Sequence, residues 1–196
     1  MKRIGIFAGT FDPIHNGHMA FAQEALATGL DMVYFLPEPR PRRKQGVRSL
    51  MHRQAMISAA IAGNKHLGLI KLEQARFTSH ETLPVLQNRF PGAELTLLFG
   101  DDVLHHIADW PRVEELVRNV GLLIATRHSN QTAIQRRLQD LAATQGLAFQ
   151  YQMIDTVSQC SSSQVRDSIR SGAANTMITP AVASYIRQHR LYRPRS

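Results

Sequence analysis

Ile4-Gly5-Ile6-Phe7-Ala8-Gly9-Thr10-Phe11-Asp12-Pro13-Ile14-His15-Asn16-Gly17-His18 is the stretch on which the fold turns. Ile4 to Phe7 is a short apolar run that reads as a buried first strand, and Met19 to Leu26, after the histidines, is amphipathic. Strand, glycine-containing turn and helix in that order deliver phosphate to a helix N-terminus. His15 and His18, three residues apart near that helix start, project from nearly the same side and can reach the same phosphates. An imidazole donates hydrogen bonds to phosphate oxygens, and a protonated one adds charge. Thr10 adds a hydroxyl to the turn, and Gly9 lets backbone approach a ligand closely. Asp12 is expected to cap the helix or tighten the turn rather than act as a base. No Gly-x-x-x-x-Gly-Lys-Ser/Thr is present, so this is not a P-loop. Taken alone, His-x-x-His reads equally as an exposed turn or half of a metal site.

Outward from this stretch, strand-like and helix-like segments alternate. Strands are expected over 32–36, 67–72, 95–99, 121–125 and 148–154. Helices are expected over 50–62, 79–89, 102–107, 112–117, 131–144, 163–171 and 179–188, with Ser79 as an N-cap. The Pro- and Arg-rich stretch 37–49 reads as a loop. Alternation with fully apolar strands predicts an α/β fold: a Rossmann-like open parallel sheet with helices on both faces. The loop after the first strand then lies at the carboxyl edge of the sheet, where such sheets bind ligands.

The chain has 196 residues, which suits one domain with a substantial core. Its hydrophobic share of 43% is ordinary for a globular protein, and no run of 18 apolar residues proposes a membrane span. The opening residues lack a signal-peptide pattern, and Cys160 is the sole cysteine, so a reducing cytoplasmic setting is expected. The net charge of +8 gathers partly in Arg40, Arg42, Arg43 and Lys44, and partly in Arg187, Arg190, Arg193 and Arg195. Such clusters suit nucleic acid or a polyanionic small substrate. No RNP-like aromatic string, zinc-finger spacing or basic heptad supports nucleic acid, so a small substrate such as ATP is expected. His52, His66, His80 and His128 have no metal-centre spacing.

The Gly-Thr-Phe-Asp-Pro-Ile-His-Asn-Gly-His string resembles the signature of the HxGH nucleotidyltransferase superfamily. Further segments are similar, in order, to its nicotinate-nucleotide adenylyltransferase family. They are His52-Arg53, Thr78 with Thr82-Leu83, Phe99-Gly100-Asp101-Asp102 with Trp110, Ser161-Ser162-Ser163-Gln164-Val165-Arg166, and the run from Pro180 to Tyr192 as a C-terminal helix. The resemblance implies one nucleotidyltransferase domain over 1–196 with a helical portion at about 161–192. It also implies transfer of AMP from ATP to nicotinate mononucleotide, giving deamido-NAD and pyrophosphate.

By the same resemblance His15, His18 and Arg166 are catalytic. Gly9, Thr10, Phe11, Lys44, Asp102, Ser161, Ser162 and Ser163 bind ATP or its phosphates, and Thr82 and Trp110 lie by the mononucleotide. Mg2+ accompanies ATP, with no metal ligands from the protein. Read from the residues alone, Lys44 is equally a solvated basic loop residue, Asp102 equally an N-cap, the serines a capped helix start and Trp110 core. The chain departs from the family at Ala8, at the arginine preceding Lys44, and at Pro111, where an aromatic residue is common. Pro111 keeps nicotinamide mononucleotide or phosphopantetheine open as acceptor. A non-catalytic nucleotide-binding module on the same fold is the rival of a different class.

Overall fold

The computed structural model describes residues 1–41, 44–71, 77–126, 131–155, 160–173 and 176–193. Leu72, Arg42, Arg43, His128 and Arg195, which figure in the reading above, lie outside the described residues. Six strands form one parallel sheet: β1 (Arg3–Gly9), β2 (Met32–Pro37), β3 (Leu67–Leu69), β4 (Glu94–Gly100), β5 (Val120–Thr126) and β6 (Tyr151–Asp155). Their order is β3-β2-β1-β4-β5-β6. The chain walks outward from β1 through β2 to β3, then returns to the other side of β1 for β4. That reversal opens a crevice beyond the carboxyl ends of β1 and β4, the place where open α/β sheets take ligands.

Side chains alternate along each strand, so the sheet has a core on both faces. Ile4, Ile6, Leu95, Leu97, Leu122 and Ile124 face one layer, made by α3 (Ser79–Arg89), α4 (Val113–Asn119) and α5 (Gln131–Gln145). Phe7, Val33, Phe35, Leu98 and Leu123 face the other, made by α1 (Asn16–Ala27), α2 (Leu50–Ile61), α6 (Ser162–Arg170) and α7 (Pro180–Gln188). Burial on both faces is why these strands are apolar throughout. The Rossmann-like parallel architecture expected from the alternation is the one observed.

Several boundaries differ for local reasons. Helix α1 starts at Asn16 rather than Met19, because His15 is its N-cap and the His18 ring accepts the His15 N–H at 3.2 Å. For α3 the cap is Thr78, not Ser79; the Thr78 hydroxyl accepts the Glu81 N–H at 3.3 Å. The expected helix over 102–107 is a pair of 3-10 turns, Asp101–His105 and Ile107–Asp109. The third strand is short, and β6 begins at Tyr151 rather than at 148. Helix α7 ends at Gln188, so 189–192 is not helical as expected. Arg190 and Tyr192 take left-handed φ angles of 50° and 61°, which turn Leu191 and Tyr192 back into the core.

Candidate active site

A cavity of about 720 Å³ occupies the crevice at the carboxyl ends of β1 and β4. The β1–α1 turn forms one wall, the Lys44–Arg48 stretch a second, and the start of α6 a third. The N-termini of α1 and α6 both open on it. Their aligned dipoles favour an anion there.

His15 is buried at the α1 N-cap, with its ring stacked on that of His18 at 3.6 Å between centroids. Because His18 Nδ1 accepts the His15 N–H, a neutral His18 carries its proton on Nε2. The backbone thus sets which nitrogen donates. Phe7 and Phe11 meet the His18 ring edge-on at 5.8 and 5.0 Å and fix its plane.

Phe11 is itself almost fully buried, with φ at 52°, and its ring folds back over Gly9. A Cβ at Gly9 would come within 2.9 Å of that ring. The glycine therefore makes room for Phe11, and it also lines the cavity. Ala8 is not among the residues with positive φ, so it fits where the family has glycine.

Asp12 does not cap α1, whose N-cap is His15. Its carboxylate is buried, accepting the Arg48 N–H at 3.3 Å and the Tyr192 hydroxyl at 2.5 Å. Across the turn, Arg166 Nη1 donates to the Asp12 carbonyl at 2.7 Å, and its Nη2 to the Ser163 hydroxyl at 2.9 Å. Ser161 caps α6, accepting the Gln164 N–H at 3.3 Å. Ser162 donates to the Pro13 carbonyl at 2.9 Å, so α6 is fastened directly to the phosphate turn.

The structure brings Gly9, Thr10, Phe11, His15, His18, Lys44, Asp102, Trp110, Arg166 and all three serines to this one cavity. Lys44 and Asp102 are exposed at its rim. Trp110 is half-buried, packed on the core and tilted at 50° to Phe77 with 6.0 Å between ring centroids. Thr82 does not reach the cavity lining. It is buried in α3, where its hydroxyl accepts the Thr78 N–H at 3.0 Å.

Several residues with structural claims on the site were given no role from the sequence, Arg53 among them although His52-Arg53 entered the resemblance. Arg53 is 1% exposed and donates to four carbonyls: Thr10 at 2.9 Å, Glu38 at 2.8 Å, Pro39 at 3.1 Å and Arg48 at 2.9 Å. Burial lowers its pKa below the usual guanidinium range, and the nearby carboxylates of Asp12 and Glu38 oppose that shift. Its spacing from Met56 and Ile57 puts an arginine in a buried helical stripe, which is the signal that could have found it. Arg48 and Arg170 add positive charge to the lining. Among the described residues, no three His, Cys, Asp or Glu side chains gather into a metal site.

Comparison with known proteins follows this geometry. The cytidylyltransferase-like family matches residues 6–168. A protein of Neisseria meningitidis serogroup C named a probable nicotinate-nucleotide adenylyltransferase is 35% identical, over 98% of this chain and 99% of its own length. One of the same name from Symbiobacterium thermophilum is also 35% identical, over 98% of this chain and 96% of its own. The solved Plasmodium falciparum nicotinic acid mononucleotide adenylyltransferase complexed with NaAD superposes with a TM-score of 0.77. It shares 20% identity over 98% of both chains, a likeness of fold. Among the described residues no helix is long and apolar enough to cross a membrane.

Proposed function

This chain belongs to the nicotinate-nucleotide adenylyltransferase branch of the cytidylyltransferase-like family, and we propose that residues 1–196 act as one domain transferring AMP from ATP to nicotinate mononucleotide. A phosphate oxygen of the mononucleotide attacks the α-phosphorus of ATP in line. The bond from that phosphorus to the bridging oxygen breaks, pyrophosphate leaves with the electron pair, and deamido-NAD forms. Such a transfer needs positioning and charge stabilisation rather than covalent help. The observation that carries this reading is the meeting of His15 and His18 at the α1 N-terminus with Arg166 on the opposite wall of one cavity.

His18 donates from Nε2 to the phosphate oxygens, with His15 beside it, and the α1 N-terminus adds its dipole. Arg166 offers the remaining N–H groups of its fork from the other side. Thr10 and the turn backbone at Gly9 and Phe11 orient the phosphates, as do Ser161, Ser162 and Ser163 at the start of α6. Lys44 neutralises charge from the rim, and Asp102 meets the ribose side. Trp110 presents a ring face to the pyridine ring. Thr82 acts at one remove, by holding the start of α3. Among the described residues none form a cage for Mg2+, and we assign the ion to the triphosphate, whose oxygens suit it. The partners of this reading are ATP and a pyridine mononucleotide, and the setting is cytoplasmic.

The test is pyrophosphate release from ATP and magnesium with nicotinate mononucleotide, nicotinamide mononucleotide and phosphopantetheine in parallel. Fast release with the nicotinate form is expected. Release with another acceptor alone rejects the acceptor assignment, and ATP binding without turnover on any acceptor rejects catalysis.

A further inference from the structure

We infer that Tyr192 is a positioning residue for adenylyl transfer: its hydroxyl occupies the Asp12 carboxylate and so keeps Arg166 available to the phosphates. The inference rests on the reading above for the identity of the reaction, but not for its geometry.

Asp12 sits at the centre of the phosphate turn and is 4% exposed. Its two carboxylate oxygens are each used once: one takes the Tyr192 hydroxyl at 2.5 Å and the other the Arg48 N–H at 3.3 Å. Both donors are neutral. Of the cations around it, Arg53 spends its donors on four carbonyls and Arg48 lies over the Tyr192 ring, while Arg166 binds the Asp12 main-chain carbonyl at 2.7 Å. A guanidinium and a carboxylate are natural bidentate partners. Here they touch the same residue and yet do not pair through that carboxylate.

The Tyr192 hydroxyl explains this. It satisfies the buried anion without adding charge, so the positive charge of Arg166 stays directed at the cavity. Without that hydroxyl, one carboxylate oxygen is buried and unmet, which is costly. A remedy at hand is rotation of the carboxylate onto Arg166, which would neutralise the cation and loosen the turn together.

Tyr192 is well built for the task. It is 2% exposed, and its ring lies under the Arg48 guanidinium at 5.2 Å. Arg48 in turn gives its carbonyl to Arg53 at 2.9 Å. The left-handed φ of 61° at Tyr192 brings the phenol back to the turn from beyond α7. Burial and the Asp12 charge raise its pKa, so it remains a donor at neutral pH.

The experiment compares Tyr192→Phe, Asp12→Asn and the double variant, by turnover and by equilibrium binding of a non-hydrolysable ATP analogue. Thermal melting is followed alongside. Tyr192→Phe keeps the ring and removes the hydroxyl; kcat and analogue affinity are expected to fall about tenfold each, while KM for the mononucleotide holds. Adding Asp12→Asn removes the charge that captures Arg166, and the double variant is expected to recover to within about threefold of the native protein. A purely structural tether predicts the reverse: losses that add, and that follow the melting temperature. Additive losses, or a rise in both KM values together, overturn the inference.

If Tyr192→Phe does not fold, Asp12→Asn in the Tyr192 background decides. It retains analogue affinity if trapping of Arg166 is the mechanism, and matches Arg166→Ala if it is not. A native protein that turns over no mononucleotide rejects the proposed reaction, while the analogue affinities still decide the role of Tyr192.

Discussion

Around the β1–α1 turn the cavity wall is knitted by hydrogen bonds across long sequence separations: Arg53 to Thr10, Arg166 to Asp12, Ser162 to Pro13 and Tyr192 to Asp12. Around Phe77 and Trp110 the wall is built of rings, with 6.0 Å between centroids and core residues behind them. On the proposed reading, the contrast follows from what each end has to do. Developing charge on a phosphate is stabilised only by donors that are already aimed, so that end is over-determined. Recognition of a flat ring needs area and shape, which packing supplies. The two ends should therefore fail in different ways when altered.

Loss of His18 should do the most damage. His18→Ala removes the donor that the proposed reading aims at the phosphates and is expected to lower kcat about a thousandfold by pyrophosphate release. Near-normal turnover would mean that the hydrogen-bonded end is not where the chemistry happens. Next comes the scaffold of that end. Arg53→Met leaves four partly buried carbonyls without their donor. Urea unfolding should record a loss of about 3 kcal/mol, and an unchanged midpoint would show that Arg53 does not hold the turn.

At the ring-lined end, Trp110→Ala is expected to raise KM for the mononucleotide about tenfold, with kcat within about twofold of native. An equal fall in kcat would erase the distinction between the two ends. The smallest effect concerns alkaline pH. Tyr192 keeps its proton in the folded chain above its ordinary value of 10.0, whereas the unfolded chain releases it there. Its contribution is thus complete below pH 10 and declines as pH rises, by at most about 1.4 kcal/mol per pH unit. Melting temperatures from pH 9 to 11 should fall more steeply for the native protein than for Tyr192→Phe, and parallel curves would contradict the burial of that phenol.

Much of this was legible in the residues because it is local. The apolar run, the turn and the paired histidines of 4–18 are contiguous, and periodicity separated the later strands from the helices. Ser161 to Arg166 was legible for the same reason: cap, serines and arginine lie within one helical turn or two. The cap of α1 was not, because its acceptor is a histidine ring, which no propensity scale ranks as a capping partner. Nor was the place of Phe11, since a left-handed φ at a bulky residue is a product of the surrounding core. Thr82 looked like a ligand contact in the motif, and the structure gives its hydroxyl to the backbone of its own helix start. The role of Tyr192 was the least visible, because its partner lies 180 residues away and nothing near either residue announces the other.

That separation bears on how the molecule comes into being. On the ribosome the phosphate turn emerges early, with both histidines and Asp12 present, long before Tyr192 has been translated. Until α7 has been made and docked, Asp12 lacks its phenolic partner. A chain cut short upstream of Tyr192 would carry the recognisable motif without the contact that keeps Arg166 unencumbered. On this inference, a chain that stops short of Tyr192 would hold nucleotides more weakly than one that includes it, however complete its motif.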